Sequence, residues 1–266
     1  MESIAAFARR LIAYRSAIFS LAARSFQMRY AGTGAGLLWS IVNPLSTVFV
    51  FWMVFSLGFK AKGPSGIPFD VYFMTAFLPW SFISETLTIS TSSIVSNSYL
   101  VKKMVFPTET LPVVEIVAST FGHLILLAMT LALLAIHGIL PGWGIFQIGY
   151  AYVCAVMLVL GLGWLFSSLN VFHRDVGQAL STIINFWFWA TPVAWVESMV
   201  PRKWHWLLDL NPAYHIVESY RAALLYNTPV WRNPAQLAAF WVAVLALSMA
   251  GAFVFRRLKP EFADMV

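Results

Sequence analysis

Apolar residues gather in six long runs, roughly 35–58, 70–95, 113–137, 145–170, 177–196 and 235–255, parted by short polar or Gly/Pro-rich breaks. A helix rising 1.5 Å per residue needs about 20 such residues to cross an apolar layer of about 30 Å, so each run predicts a membrane crossing. The pattern ahead of the first run is different. Ile4, Leu11 and Ile18 recur every seven positions, as do Phe7, Tyr14 and Leu21, while Arg9, Ser16, Ser20, Arg24 and Gln27 fall on or near the opposite face. Residues 3–28 therefore predict an amphipathic helix in the plane of the membrane interface. A helix packing on a partner protein gives the same stripe, and the two roles are compatible.

Arg29 and Tyr30 then open the stretch RYAGTGAGLLWSIVNP, which passes a Gly/Thr hinge and enters the first run. A cation and a half-wet aromatic ring suit a membrane–water boundary. Asn43-Pro44 inside the run is tolerated in a membrane where neighbours satisfy the freed carbonyl. The second run changes character along its length. Its first half is aromatic, with Pro79; its second half, Ser84 to Ser98, is crowded with Ser and Thr around Glu85. That half is poor against lipid and is expected to face protein or water. The third run holds Glu115 and His123, and the fourth holds Gly161 and Gly163, which permit close helix packing. In the fifth, FWFWATPVAW puts Phe186 to Trp189 all around a helix, so at least one ring must face inward. Glu197 to Asn233 mixes Trp204, Trp206, Leu207, Leu208 and Ile216 with charges. Two short helices broken at Asn211-Pro212, partly re-entrant at the outer interface, fit that mixture.

Composition agrees. Of 266 residues, 60% are hydrophobic and 11% charged, with mean hydropathy +0.75. A soluble domain is about 25% charged, so the chain is read as a polytopic membrane protein. The net charge of +6 is then a matter of topology rather than of nucleic-acid binding. With both termini inside, the inner segments carry Arg9, Arg10, Arg15, Arg24, Arg29, Lys102, Lys103, Arg174, Arg256, Arg257 and Lys259. The outer ones carry Lys60, Lys62, Arg202, Lys203, Arg221 and Arg232, so the balance is 11 to 6. Six crossings with cytoplasmic termini follow, with 1–30 as the interface helix and 31–266 as one transmembrane domain.

Candidate chemistry is sparse. Cys154 is the only cysteine, which excludes an intrachain disulfide and a cysteine metal site. There is no GxxxxGK[ST] loop, HExxH or GxSxG. His205 and His215 flank Asp209, but without the spacing of a metal site, and no metal is expected. Glu85, Glu115 and His123 are the ionisable residues expected at membrane depth, marking a pathway or a buried pair; Glu115 is equally read as a charge at a helix N-terminus. A membrane enzyme acting on lipid-linked sugars would have Asp209 and Glu218 as its best acids. An ion-coupled transporter would want more membrane carboxylates and an inverted repeat.

RYAGTGAGLLWSIVNPL, FPTETLPVVE, NVFHRDVGQAL with TPVAW, and LNPAYHIVESYR, in this order, resemble the permease subunits of ABC-2 type polysaccharide exporters. The resemblance is to O-antigen exporter permeases of the Wzm kind, and teichoic-acid and capsule exporter permeases are similar. It implies an all-α membrane protein with six transmembrane helices, an N-terminal interface helix including Arg24, Arg29 and Tyr30, and short gate helices between crossings five and six. It implies a homodimer in the bacterial inner membrane, working with two ATP-binding cassette subunits that hold ATP and Mg, while this chain needs no cofactor of its own. The cargo implied is a lipid-linked polysaccharide. ATPase docking is expected at Val101, Lys102, Lys103, Val105, Phe106, Thr108 and Glu109. The translocation path is expected at Glu85, Phe186, Trp187, Trp189 and Trp195, and the gate at Trp204, Asn211, Pro212, Glu218 and Arg221.

Overall fold

The computed structural model describes residues 4–102 and 107–266 and contains no strand among them. Its helices are α1 (Ile4–Ala13), α2 (Arg15–Met28), α3 (Trp39–Trp52), α4 (Phe69–Ser96), α5 (Ser98–Lys102) and α6 (Leu111–Ile136). After them come α7 (Ile148–Phe172), α8 (Asp175–Ala190), α9 (His205–Asp209), α10 (Pro212–Arg221), α11 (Pro234–Leu258) and α12 (Phe262–Met265). The amphipathic stretch is thus two helices, broken at Tyr14. On α2, Ile18, Ala22 and Phe26 recur every four residues and bury themselves against Val114 and Ala118 of α6. Much of its apolar stripe is therefore spent inside the same chain.

Long-range contacts sort the chain into two ends. At one, Arg10 and Lys259 both reach Glu109, and Phe172 packs on Phe262. At the other, His137 meets Asp70, Tyr72 meets the Trp195 carbonyl, and Gly144 meets Asn227. We call these the Glu109 end and the Asn211 end. Helices α3, α4, α6, α7, α8 and α11 run between them.

Four of the six are long and apolar enough to cross a membrane: α3 with its flanking turns (Gly36–Gly58), α6 (Thr108–Ile136), α7 (Trp143–Phe172) and α11 (Pro234–Met265). The other two differ from the expectation in instructive ways. Helix α4 has 28 residues, about 42 Å, but is polar over half its length. Helix α8 has 16 residues and stops at Ala190, short of the expected 196. The reason is local: Thr191 precedes Pro192 and takes extended φ/ψ of −104° and 133°, because the proline ring crowds a helical residue before it.

Helix α4 is the axis of the bundle. Phe73, Leu78, Ile83 and Leu87 are fully buried, and α6, α7 and α10 pack around it. Its polar half faces protein, as expected: Thr86, Ser90, Thr91 and Ser93 are buried. Thr91 and Ser93 donate to carbonyls one turn back, Leu87 at 2.8 Å and Ser90 at 2.7 Å, which lets a hydroxyl sit in an apolar bundle without an external partner. Helices α7 and α11 meet backbone to backbone. A Cβ at Gly251 would lie 2.1 Å from the Gly161 carbonyl oxygen, so only glycine fits there. Gly163, by contrast, has ordinary clearance. Cys154 is a buried core residue of α7.

Candidate functional site

At the Glu109 end, three segments far apart in sequence converge on one carboxylate. Arg10 of α1 donates to Glu109 Oε1, and Lys259, just past α11, donates to Oε2 at 2.6 Å. The Glu109 carbonyl accepts from the Trp164 indole at 3.0 Å, and Trp164 also packs edge-on against Phe7. Of the expected docking residues, Val101 is buried, Lys102 ends α5, and Thr108 is buried with its hydroxyl unpartnered. Lys103, Val105 and Phe106 lie outside the described residues. Glu109 itself is committed to Arg10 and Lys259.

A second charged group sits deeper. Arg29 donates from Nη1 to Glu85 and from Nη2 to Ser119 at 3.1 Å, with Glu115 Oε2 at 3.4 Å; Ser25 also donates to Glu115, at 2.7 Å. One cation therefore bridges two carboxylates from α4 and α6. Glu115 is a buried pair member, and Glu85 keeps 42% of its side chain exposed. Burial raises the Tyr30 phenol pKa, Glu85 raises it further, and Arg29 draws it back. Arg24 takes no part in this group.

At the Asn211 end the polar contacts centre on one amide and one guanidinium. The Asn211 side chain accepts from the Trp187 indole at 2.7 Å and the Ala213 amide at 3.1 Å, and donates to Thr191 Oγ1 at 2.9 Å. It caps α10, whose first residue is Pro212, and the same amide fastens α10 to the broken end of α8. Ten residues on from the cap, at Arg221, a fully buried guanidinium lies 3.7 Å over the Tyr72 ring. It donates to Glu218 at 2.7 Å and to the Val193 carbonyl at 3.2 Å. A desolvated cation needs such an arrangement, with an aromatic face, a carboxylate and a carbonyl.

The expected path aromatics divide here. Trp187 is half-buried, bound to Asn211 and packed edge-on against Trp80. Trp195 donates to the Trp189 carbonyl at 3.1 Å. Phe186 and Trp189 are open, 75% and 57% exposed. Trp204 is exposed beside the Lys203 ammonium. His205, His215 and Asp209 are not brought together: His205 faces Glu197 and the Val200 carbonyl, His215 stacks on Phe240, and Asp209 accepts from Gln236. No group of three or more potential metal ligands forms among the described residues. His123 lies deep in the bundle, 3.0 Å from the Tyr220 hydroxyl and stacked on Tyr152.

Sequence reasoning missed Arg10, Lys259, Ser25, Ser119, Tyr72 and Thr191. Their partners are 20 to 150 residues away, and no local pattern announces them.

Membrane-length helices braced by a polar group at each end make this a polytopic membrane protein. Residues 16–225 match the ABC-2 type transporter family, and the chain belongs to it. It is 26% identical over 247 residues to the O-antigen export system permease protein RfbA of Klebsiella pneumoniae, covering 91% of this chain and 92% of that protein. It is 26% identical over 260 residues to the protein of the same name from Myxococcus xanthus, covering 97% and 98%.

Proposed function

We propose that this chain is the permease subunit of an ATP-driven exporter that carries a lipid-linked, O-antigen-like polysaccharide across the bacterial cytoplasmic membrane. The observation that carries this reading is the end-to-end match to two permeases named for O-antigen export, over 91–97% of this chain. In this reading all six end-to-end helices cross the membrane, α8 being completed by the Thr191–Ala194 segment, with both termini in the cytoplasm. Two copies form the conduit. Two separate ATP-binding subunits supply the energy, and ATP and Mg belong to them.

The Glu109 end, with α5 and Thr108, is the docking face for the ATP-binding subunits. Its links are ion pairs between segments, able to transmit a displacement of α5 to α1 and to the tail. The path uses Phe186, Trp189 and the open side of Glu85. Aromatic faces hold a sugar ring weakly and let it slide, which a long polymer requires. Trp187 and Asn211 serve the gate by tying α10 to the end of α8, with Glu218 and Arg221 holding the gate helix on α4.

The test is reconstitution of the full chain with its ATP-binding partner in vesicles preloaded with the lipid-linked glycan. Export is read as glycan newly open to an added glycosidase. ATP-dependent exposure, lost on omitting either protein, is the expected result. Exposure without the ATP-binding protein, or glycan cleavage or extension by this chain alone, overturns the reading in favour of another transporter class or an enzyme.

A further inference from the structure

Two cavities that differ in charged lining share Val200 in their walls. One, of about 490 Å³, lies at the Asn211 end among Tyr72, Glu197, Arg202, His205 and Glu218. The other, of about 690 Å³, is an apolar groove walled by Leu162 of α7, Leu180 and Ile183 of α8, and Leu247 of α11, and roofed by Trp204 and Leu207. A cavity bearing charged side chains beside an apolar groove fits a molecule with a polar head and an apolar tail.

The dimensions specify the tail. On α8 the groove runs from Leu180 to Ala190, ten residues further on, or about 15 Å of helix rise. That is half of the roughly 30 Å hydrocarbon layer, the depth of one leaflet. Charge specifies the head. In the first cavity Glu218 is held by Arg221 at 2.7 Å, and Glu197 faces His205 at 3.3 Å. Arg202 has no ion-pair partner among the described residues, and the Lys203 ammonium rests 5.8 Å above the Trp204 ring at the groove's roof. Glu218 is engaged by Arg221 and Glu197 lies against His205, while Arg202 and Lys203 have no carboxylate partner among the described residues.

The geometry points to a binding site for a phosphate-headed lipid of the leaflet at the Asn211 end, its head on Arg202 and Lys203 and one tail in the groove below Leu207. This inference needs α7, α8 and α11 to cross the bilayer; it does not depend on the cargo proposed above.

Full-length protein is placed in phosphatidylcholine vesicles with a trace of phosphatidic acid carrying a photoreactive group on one acyl chain. Phosphatidylcholine with the same photoreactive chain serves as the comparison probe. Adducts are mapped by peptide mass spectrometry. An attraction of about 1 kcal/mol per basic residue near the surface makes the phosphatidic acid probe label residues 180–190 and 200–211 at least about fivefold more than its counterpart. The double substitution Arg202→Gln, Lys203→Gln should bring the two probes level. Leu207→Trp, at an exposed position, should fill the groove and lower labelling by both, while the outward face of α11 at Val242 and Phe253 stays labelled. Equal labelling by both probes in the native protein, or adducts spread evenly over the groove and the α11 face, would mean bulk lipid and overturns the site. So would an efficient disulfide between two copies through Ile183→Cys, since a second subunit would then fill the groove. Export plays no part in these readings.

Discussion

The two ends of this molecule use charge in opposite ways. At the Glu109 end the partners are Arg10 and Lys259, 30% and 39% exposed, both reaching one carboxylate from flexible stems. At the Asn211 end Arg221 has no exposure at all and is fixed by an aromatic face, a carboxylate and a carbonyl. A half-wet ion pair contributes little and can be remade elsewhere, because water compensates the separated charges. A buried cation has no such alternative, so its contacts fix one geometry. One end is therefore built to release and re-form, the other to hold.

Replacing Arg221 tests the contrast most severely. Arg221→Met should cost about 3 kcal/mol or more, by analogy with other broken buried pairs, and should lower the thermal midpoint of the detergent-solubilised protein sharply. Adding Glu218→Gln should recover part of the loss, since the carboxylate no longer lacks its cation. Unfolding at the wild-type temperature would show that the Asn211 end is not braced by this residue.

Asn211→Ala removes the acceptor for Trp187 and Ala213 and the donor to Thr191. Leaving such groups unpaired costs about 1–3 kcal/mol, so the midpoint should fall less than in Arg221→Met. Asn211→Asp keeps the acceptor and should fall between Asn211→Ala and wild type. An Asp variant as unstable as the Ala variant would assign the amide's role to its donor side alone.

Glu109→Gln should cost under about 1 kcal/mol. What should change is order: spin labels on α1 and on the tail should show a broadened distance distribution. Raising salt to about 1 M, where the screening length is about 3 Å, should broaden the native distribution in the same way and leave the variant unchanged. If salt has no effect on the native protein, the Glu109 contacts are less exposed than the contrast requires.

Most of this fold could be read from hydropathy, and the reason is solvent. In lipid the backbone has to be helical, so apolar runs translate into helices directly. The break of α8 at Thr191-Pro192 and the start of α10 at Asn211-Pro212 follow from proline chemistry and were within reach. Helices α4 and α8, read as crossings from the sequence, fall outside the length-and-hydropathy criterion because α4 hides its hydroxyls within the bundle and α8 is cut short. The polar groups at the two ends were half visible. Glu85 and Glu115 stood out as ionisable residues at membrane depth, while Asn211 marked a helix break and Arg221 was named through the family resemblance. Their partners, such as Tyr72 under Arg221, are set by which helices become neighbours, and no periodicity encodes that. Sequence spacing also could not divide the four consecutive aromatics. Trp187 turns inward because an amide 24 residues away claims its N–H, and Phe186 is left outside.

The seam at Gly161 and Gly251 has a mechanical consequence. Sliding two helices past one another requires side chains that can yield and re-seat. Here a carbonyl oxygen sits where a methyl group would be, so any axial slip drives one backbone into the next residue of the other. Helices α7 and α11 must travel as one beam. A cycle that opens and closes a passage then has to draw its freedom from the lightly anchored members, α3 and α8. A cysteine pair locking α7 to α11 should cost the transporter nothing in turnover, whereas one locking α3 to α8 should stop it.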